Sequence, residues 1–140
     1  MKQYDHYSEL RKDIEAGSLT CSDLVHFYLD RIEANQHLNL YTEVYAEEAL
    51  QQAEGVDQKF QAGTAGPLAG MIIGVKDVIC HQGKSLGASS AILDSFESQF
   101  TATALQRLLD ADAIVIGRHS CDEFAMGSSN ENAVQGPARN

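Results

Sequence analysis

An α/β fold, with parallel strands layered against helices, is predicted by three features of this 140-residue sequence. Apolar residues recur at helical spacing from the N-terminus to about Gln61. Two short continuous apolar runs, Met71 to Val75 and Ala113 to Gly117, are bounded by turn residues. A helical pattern around Leu105, Leu108 and Leu109 lies between those runs, and strand, helix, strand with short connections implies a parallel sheet.

The first helix is expected over Ser8 to Glu15, stopped by Gly17, which tolerates the left-handed conformation of helix ends. Thr20 opens the second, over residues 21 to 34. Thr20 can cap it while Asp23 sits at the third position, and Leu24, Val25, Tyr28, Leu29 and Ile32 then fall on one face. These two helices are expected to form a hairpin. Val44, Ala46, Ala49, Leu50, Ala53 and Phe60 mark a third helix from Glu43 to about Gln61, with Gly55 as its weak spot. The segment from Gly63 to Gly70 contains three glycines and Pro67 and reads as a turn between layers. Met71 to Val75 and Ala113 to Gly117 then read as strands buried on both faces.

A content of 44% hydrophobic residues is enough for one domain with a core. The apolar runs are too short to span a bilayer, the start MKQYDHYSEL lacks the layout of a signal peptide, and a cytoplasmic location is expected. Cys21, Cys80 and Cys121, odd in number and widely spaced, suit reduced thiols. The net charge of −10 repels a phosphate backbone, so any nucleic-acid contact falls to a partner.

Lys76 directly follows the first strand, and the carboxyl ends of strands in open α/β sheets collect catalytic groups. On position alone it reads first as a strand end reaching solvent with Asp77 paired to it. Asp122-Glu123-Phe124-Ala125-Met126-Gly127-Ser128-Ser129-Asn130-Glu131-Asn132 lies just past the second strand and is dense in groups that orient polar ligands. Its alternative reading is a capped helix of one or two turns followed by a Ser/Asn turn. His119, Cys121 and Asp122 match no zinc spacing, and the glycines of 63 to 70 match no phosphate-binding pattern.

Taken together, the segment Gly66-Pro67-Leu68-Ala69-Gly70-Met71-Ile72-Ile73-Gly74-Val75-Lys76-Asp77, the block 122 to 132 and the closing Gly136-Pro137-Ala138-Arg139-Asn140 resemble the amidase signature family. Glu123 to Ser129 is most similar to the glutamine-hydrolysing subunits of tRNA-dependent amidotransferases, and Leu29-Asp30-Arg31-Ile32-Glu33 fits them as well. The sequence departs from them at Arg118-His119-Ser120, where Lys-Thr-Asn is more usual. The resemblance implies the amidase-signature fold, in which a helical N-terminal leader packs on a mixed, largely parallel central sheet covered by helices. Residues 1–140 would be the N-terminal part of a single amidase domain, with 1–62 as leader and 63–140 as the start of the sheet and active-site region.

It further implies a catalytic triad of a lysine, a bridging serine and a nucleophilic serine, with the lysine matching Lys76 and both serines lying beyond Asn140. Lys76 can act as a base only without its proton, which burial in a water-poor pocket promotes. Met126, Gly127, Ser128 and Ser129 match the segment that lines the substrate site. Glutamine is the implied substrate and subunits B and C the implied partners in a heterotrimer. Charged tRNA is met through the partner, and ATP and Mg are expected there; this chain binds no cofactor, no metal and no membrane. A free-standing amidase and an inactive interaction module are the competing readings. The two strands, short of neighbours, are expected to leave the isolated chain marginally stable or self-associating.

Overall fold

The computed structural model describes residue 2 and residues 4–140. Its elements are α1 (Tyr7–Glu15), α2 (Cys21–Ala34), β1 (Tyr41–Val44), α3 (Ala46–Ala62), β2 (Ile72–Lys76), α4 (Thr103–Asp110) and β3 (Ile114–His119), with short 3-10 turns at Gln36–Leu38, Ala91–Leu93 and Glu123–Ala125. The strands form one small mixed sheet in the order β1-β3-β2. β1 runs antiparallel to β3, with Glu43 opposite Arg118 and Val44 opposite Gly117. β2 runs parallel to β3: Ile114 N–H donates to Met71 O at one end and Asp77 N–H to His119 O at the other, both at 2.9 Å.

The chain divides into two compact units, one of Met1–Ala34, Tyr45–Ile73 and Leu108–Ile116, the other of Asn35–Val44, Gly74–Arg107 and Gly117–Asn140. In the first, α2 begins as its sequence dictates. Asp23 accepts from the Thr20 N–H and hydroxyl at 3.1 and 2.7 Å, and Thr20 Oγ1 accepts from the Asp23 N–H at 3.0 Å. The remaining first-turn donors go to α3, whose Asp57 carboxylate takes the N–H of Cys21 at 2.7 Å and of Ser22 at 3.1 Å. α2 packs on α3, burying Leu24 and Val25 of one helix and Ala49, Ala53 and Val56 of the other.

The expected α1–α2 hairpin gives way to a different contact. α1 leans on the 66–70 turn, through Tyr7 hydroxyl to Ala69 O at 2.9 Å, Arg11 to Gly66 O at 2.8 Å, and Ile14 against Gly70. Gly70 sits at φ +87, and a Cβ there would lie 2.6 Å from Ile14 Cδ1, so the turn needs glycine for both reasons. Asp112 secures the same turn, accepting from Gly66 N–H at 2.7 Å and pairing with Lys59.

Three other expectations are corrected. The third helix starts at Ala46, because Tyr41–Val44 pairs with β3 as a strand; ladder bonding and the β-favouring Thr42 and Val44 outweigh an ambiguous periodicity. β3 is buried on both faces up to Arg118, but β2 is not: Gly74 and Lys76 are exposed. The connection from β2 to α4 is long, residues 77 to 102, and carries a bridge between Ser85 and Glu97.

Candidate functional site

Lys76 is the last residue of β2 and its side chain is exposed. Side chains alternate along a strand, so Gly74 and Lys76 share the open face while Val75 and Asp77 turn inward, 3% exposed each. The water-poor pocket expected around Lys76 is therefore not supplied by the described residues. Asp77 is not its partner either. The Asp77 carboxylate accepts from Gly87 N–H at 3.1 Å and Ser89 N–H at 2.8 Å, and the Arg118 guanidinium approaches it at 3.7 Å.

Ala88 and Ser89 hold φ of 46 and 49, a left-handed pair at non-glycine residues. Their conformation aims the Gly87 and Ser89 N–H groups at the two carboxylate oxygens of Asp77 and the Ala88 N–H between them at the Asp77 carbonyl. Such strain persists only where the surroundings enforce it. Here Asp77 O also accepts from Ala88 N–H at 2.9 Å, Ser89 O accepts from Val134 N–H at 2.9 Å, and Ser89 Oγ accepts from Cys121 N–H at 3.1 Å and Gln135 Nε2 at 3.0 Å. Gln135 Nε2 and Asn130 Nδ2 in turn donate to Ser120 Oγ at 2.7 and 3.1 Å.

The loop after β3 is organised by Asp122. Its carboxylate accepts from Asn130 N–H at 2.9 Å and Asn132 N–H at 3.1 Å, and these backbone donors, Asn130 foremost, hold its pKa below the ordinary carboxylate value. Gly127 packs against it so closely that a Cβ would lie 2.5 Å from Asp122 Cγ. A 3-10 turn, Glu123–Ala125, replaces the expected helical turn, with Phe124 and Ala125 at φ 51 and 58. Met126 is 82% exposed, Ser128 is exposed, and the Ser129 hydroxyl donates to Glu131 at 3.0 Å.

On the β2 face shared with Lys76, the His119 ring occupies the space that Gly74 leaves empty; a Cβ at Gly74 would lie 2.1 Å from His119 Cε1. Tyr41 meets the same ring edge-on at 4.6 Å. Burial lowers the His119 pKa by penalising the charged imidazolium.

A cavity of about 360 Å³ lies in the second unit, lined by Glu43, Asp77, Ser89, Ser90, Arg118 and Gln135 among others. One Glu43 carboxylate oxygen is buried without a hydrogen-bond partner. Lys76, Met126, Gly127, Ser128 and Ser129 do not line this cavity. The second unit holds both Lys76 and the 126–129 loop, and sequence reasoning missed its polar hub of Asp77, Ser89, Arg118 and Gln135. The available signal was Gly87-Ala88-Ser89-Ser90, a run of small residues free to leave the extended conformation.

No helix among the described residues is long and apolar enough to cross a membrane. Comparison with known proteins places the chain. Over 138 residues it is 42% identical to the A-type component of the glutamyl-tRNA(Gln) amidotransferase of Chlorobium phaeobacteroides, covering 98% of this chain and 29% of that protein. A solved vestigial complex, described as revealing the evolutionary origins of an s-triazine catabolic enzyme, superposes with a TM-score of 0.89 at 32% identity, over 95% of this chain and 30% of that one. The native peptide amidase of Stenotrophomonas maltophilia superposes with a TM-score of 0.82 at 28% identity, over 94% and 28%. The chain spans about three tenths of the length of the relatives it matches. The family model described as Amidase matches residues 23–140, and the chain belongs to that family.

Proposed function

We propose that these residues form the N-terminal part of an amidase domain that hydrolyses glutamine for a tRNA-dependent amidotransferase. Residues 1–62 act as its helical leader and 63–140 as the start of the sheet and active-site region. The observation that carries this reading is the 42% identity, sustained over 98% of the chain, to the A-type component of a glutamyl-tRNA(Gln) amidotransferase. Two features of the second unit support it. Lys76 stands at the carboxyl end of a strand, and the segment bearing Met126, Gly127, Ser128 and Ser129 is held open to solvent by Asp122.

In the proposed reaction Lys76 serves as the base. A serine supplied by the remainder of the domain gives up its hydroxyl proton through a bridging serine to the Lys76 amine, and its oxygen attacks the glutamine carboxamide carbon. The carbon–nitrogen bond breaks, the proton passes to the leaving nitrogen, and ammonia departs; water then cleaves the acyl ester to give glutamate. Covering of Lys76 by that remainder would supply the water-poor setting that the 140 residues lack. Met126 to Ser129 would contact the substrate. Subunits B and C would complete a cytoplasmic heterotrimer, with ATP, Mg and the charged tRNA handled by the partner. The acidic charge of this chain, −10, agrees with that division.

Reading the parent frame past Asn140 is the first test, because a following Gly/Ser-rich segment with two serines is required. Glutamine hydrolysis by the full-length protein, measured with and without partner subunits and charged tRNA, is the second. Stimulation by the partners and loss of turnover in Lys76→Met support the proposal. The likeness to a peptide amidase favours one other reading, a free-standing amidase of small amides; full activity on unrelated amides with no response to partners would establish it instead. The 140 residues alone are expected to show no turnover.

A further inference from the structure

The turn that follows Lys76 is closed by its own hydrogen bond, Ile79 N–H to Lys76 O at 2.9 Å. Arg118, 1% exposed on the neighbouring strand β3, reaches the same turn from inside. Its Nη1 donates to Ile79 O at 3.0 Å and makes a longer contact to Lys76 O at 3.5 Å, while its Nε stands 3.7 Å from the Asp77 carboxylate. One guanidinium thereby meets carbonyls or carboxylate of Lys76, Asp77 and Ile79. Asp77 is fixed on its other side by Gly87 and Ser89.

We propose that Arg118 is a positioning residue for Lys76. Its Nη1, hydrogen-bonded to Ile79 O, ties β3 to the 76–79 turn and so sets where the Lys76 side chain leaves β2. This inference rests on the reading of Lys76 as the base and extends it to a residue that touches no reacting atom. A guanidinium suits the task because its rigid plane holds Nη1 at the Ile79 carbonyl while Nε faces the Asp77 carboxylate, where an ammonium presents a single point charge. Burial makes the clamp exacting: removing the guanidinium leaves the Asp77 carboxylate and two carbonyls inside the protein with fewer donors.

The experiment compares Arg118→Gln, Arg118→Lys and Lys76→Met in the full-length protein, by steady-state amide hydrolysis and by hydrogen exchange. Arg118→Gln is expected to lower kcat about 10- to 100-fold with KM within about twofold, the pattern of a displaced catalytic group rather than a lost binding contact. Arg118→Lys, which keeps a charged donor, is expected to recover part of that loss. Exchange at the Ile79 amide should quicken in Arg118→Gln. A folded Arg118→Gln enzyme with wild-type kcat overturns the proposal. If Arg118→Gln does not fold, Arg118→Lys decides: faster exchange confined to the 76–79 turn supports the clamp, and unchanged exchange there overturns it. Lys76→Met separates the two ideas, since wild-type turnover in that variant ends the base assignment whatever Arg118 does.

Discussion

The first compact unit buries Ile14, Leu24, Val25, Ala49, Ala53 and Val56, together with Ala113 to Ile116, and its backbone is regular almost throughout. The second buries Asp77, Ser89, Ser90, Ser98, Arg118 and Asp122, and it carries the left-handed non-glycine residues Ala88, Ser89, Phe124 and Ala125. Among the described residues the first unit buries one polar side chain, Asp112, and the second exposes Ile92, Phe100, Met126 and Val134. Aliphatic burial is non-directional and roughly proportional to area, so the first unit tolerates variation in detail. A buried polar network is stable only when each donor and acceptor is met, which makes the second unit exacting and able to hold side chains in fixed places. The candidate chemistry lies in the second.

Removal of Asp77 should break the second unit most severely. Asp77→Ala leaves the Arg118 guanidinium buried without its carboxylate and frees the N–H groups of Gly87 and Ser89. A loss of about 3–5 kcal/mol is expected in denaturant unfolding, with exchange rising at Ala88 and Cys121. If Asp77→Ala costs no more than a surface substitution, the polar hub does not hold this unit.

The matching test in the first unit is Leu24→Ala. Leu24 is 2% exposed at the α2–α3 contact, and truncation there should cost about 2–5 kcal/mol according to how far the helices close over the space. Here the comparison sharpens: Leu24→Met should be nearly neutral, because volume is kept and no hydrogen bond is involved. Asp77→Asn should retain most of the damage, because the charge that balances Arg118 is gone.

This difference also explains how far the sequence could be read. Periodicity reports burial of apolar faces, so α2 with its Thr20–Asp23 cap, α3 and β3 were readable from residue spacing. Polar closure leaves no periodic trace. Nothing in Lys76-Asp77 says that Asp77 turns inward to meet a residue 41 positions later on another strand. The same pairing across the sheet hid β1, which becomes a strand through β3, so that Glu43 and Val44 lose their helical reading. Of the candidate site, the family motifs marked Lys76 and Met126 to Ser129, while Arg118, read only as a departure from the usual pattern, is the residue the fold places behind Lys76.

A gain of stability is expected in the first unit from Gly55→Ala. Gly55 lies inside α3, and a Cβ there would meet nothing within 4 Å. The substitution removes the entropic cost of a helical glycine and should add about 1 kcal/mol, read as a raised midpoint in denaturant. A null or negative result would mean that α3 is not the continuous helix drawn by its hydrogen bonds. No comparable gain is open in the second unit at Gly127, where a Cβ would strike Asp122.

Acid should act on the second unit through Asp122. Its pKa is held below the ordinary value of 3.8 by the Asn130 and Asn132 N–H groups, which bond the ionised carboxylate. A carboxylate depressed on folding contributes its stability above the unfolded pKa and loses it as pH falls through the folded one. The 122–132 loop should therefore stay ordered from neutral pH down to about pH 4 and loosen below it, with the Asn130 and Asn132 amide resonances shifting together. Asp122→Asn should abolish that transition and leave the loop equally loose at neutral pH. If the two amides shift near pH 6 instead, a histidine controls the loop, and the carboxylate is not what holds Met126 to Ser129 in place.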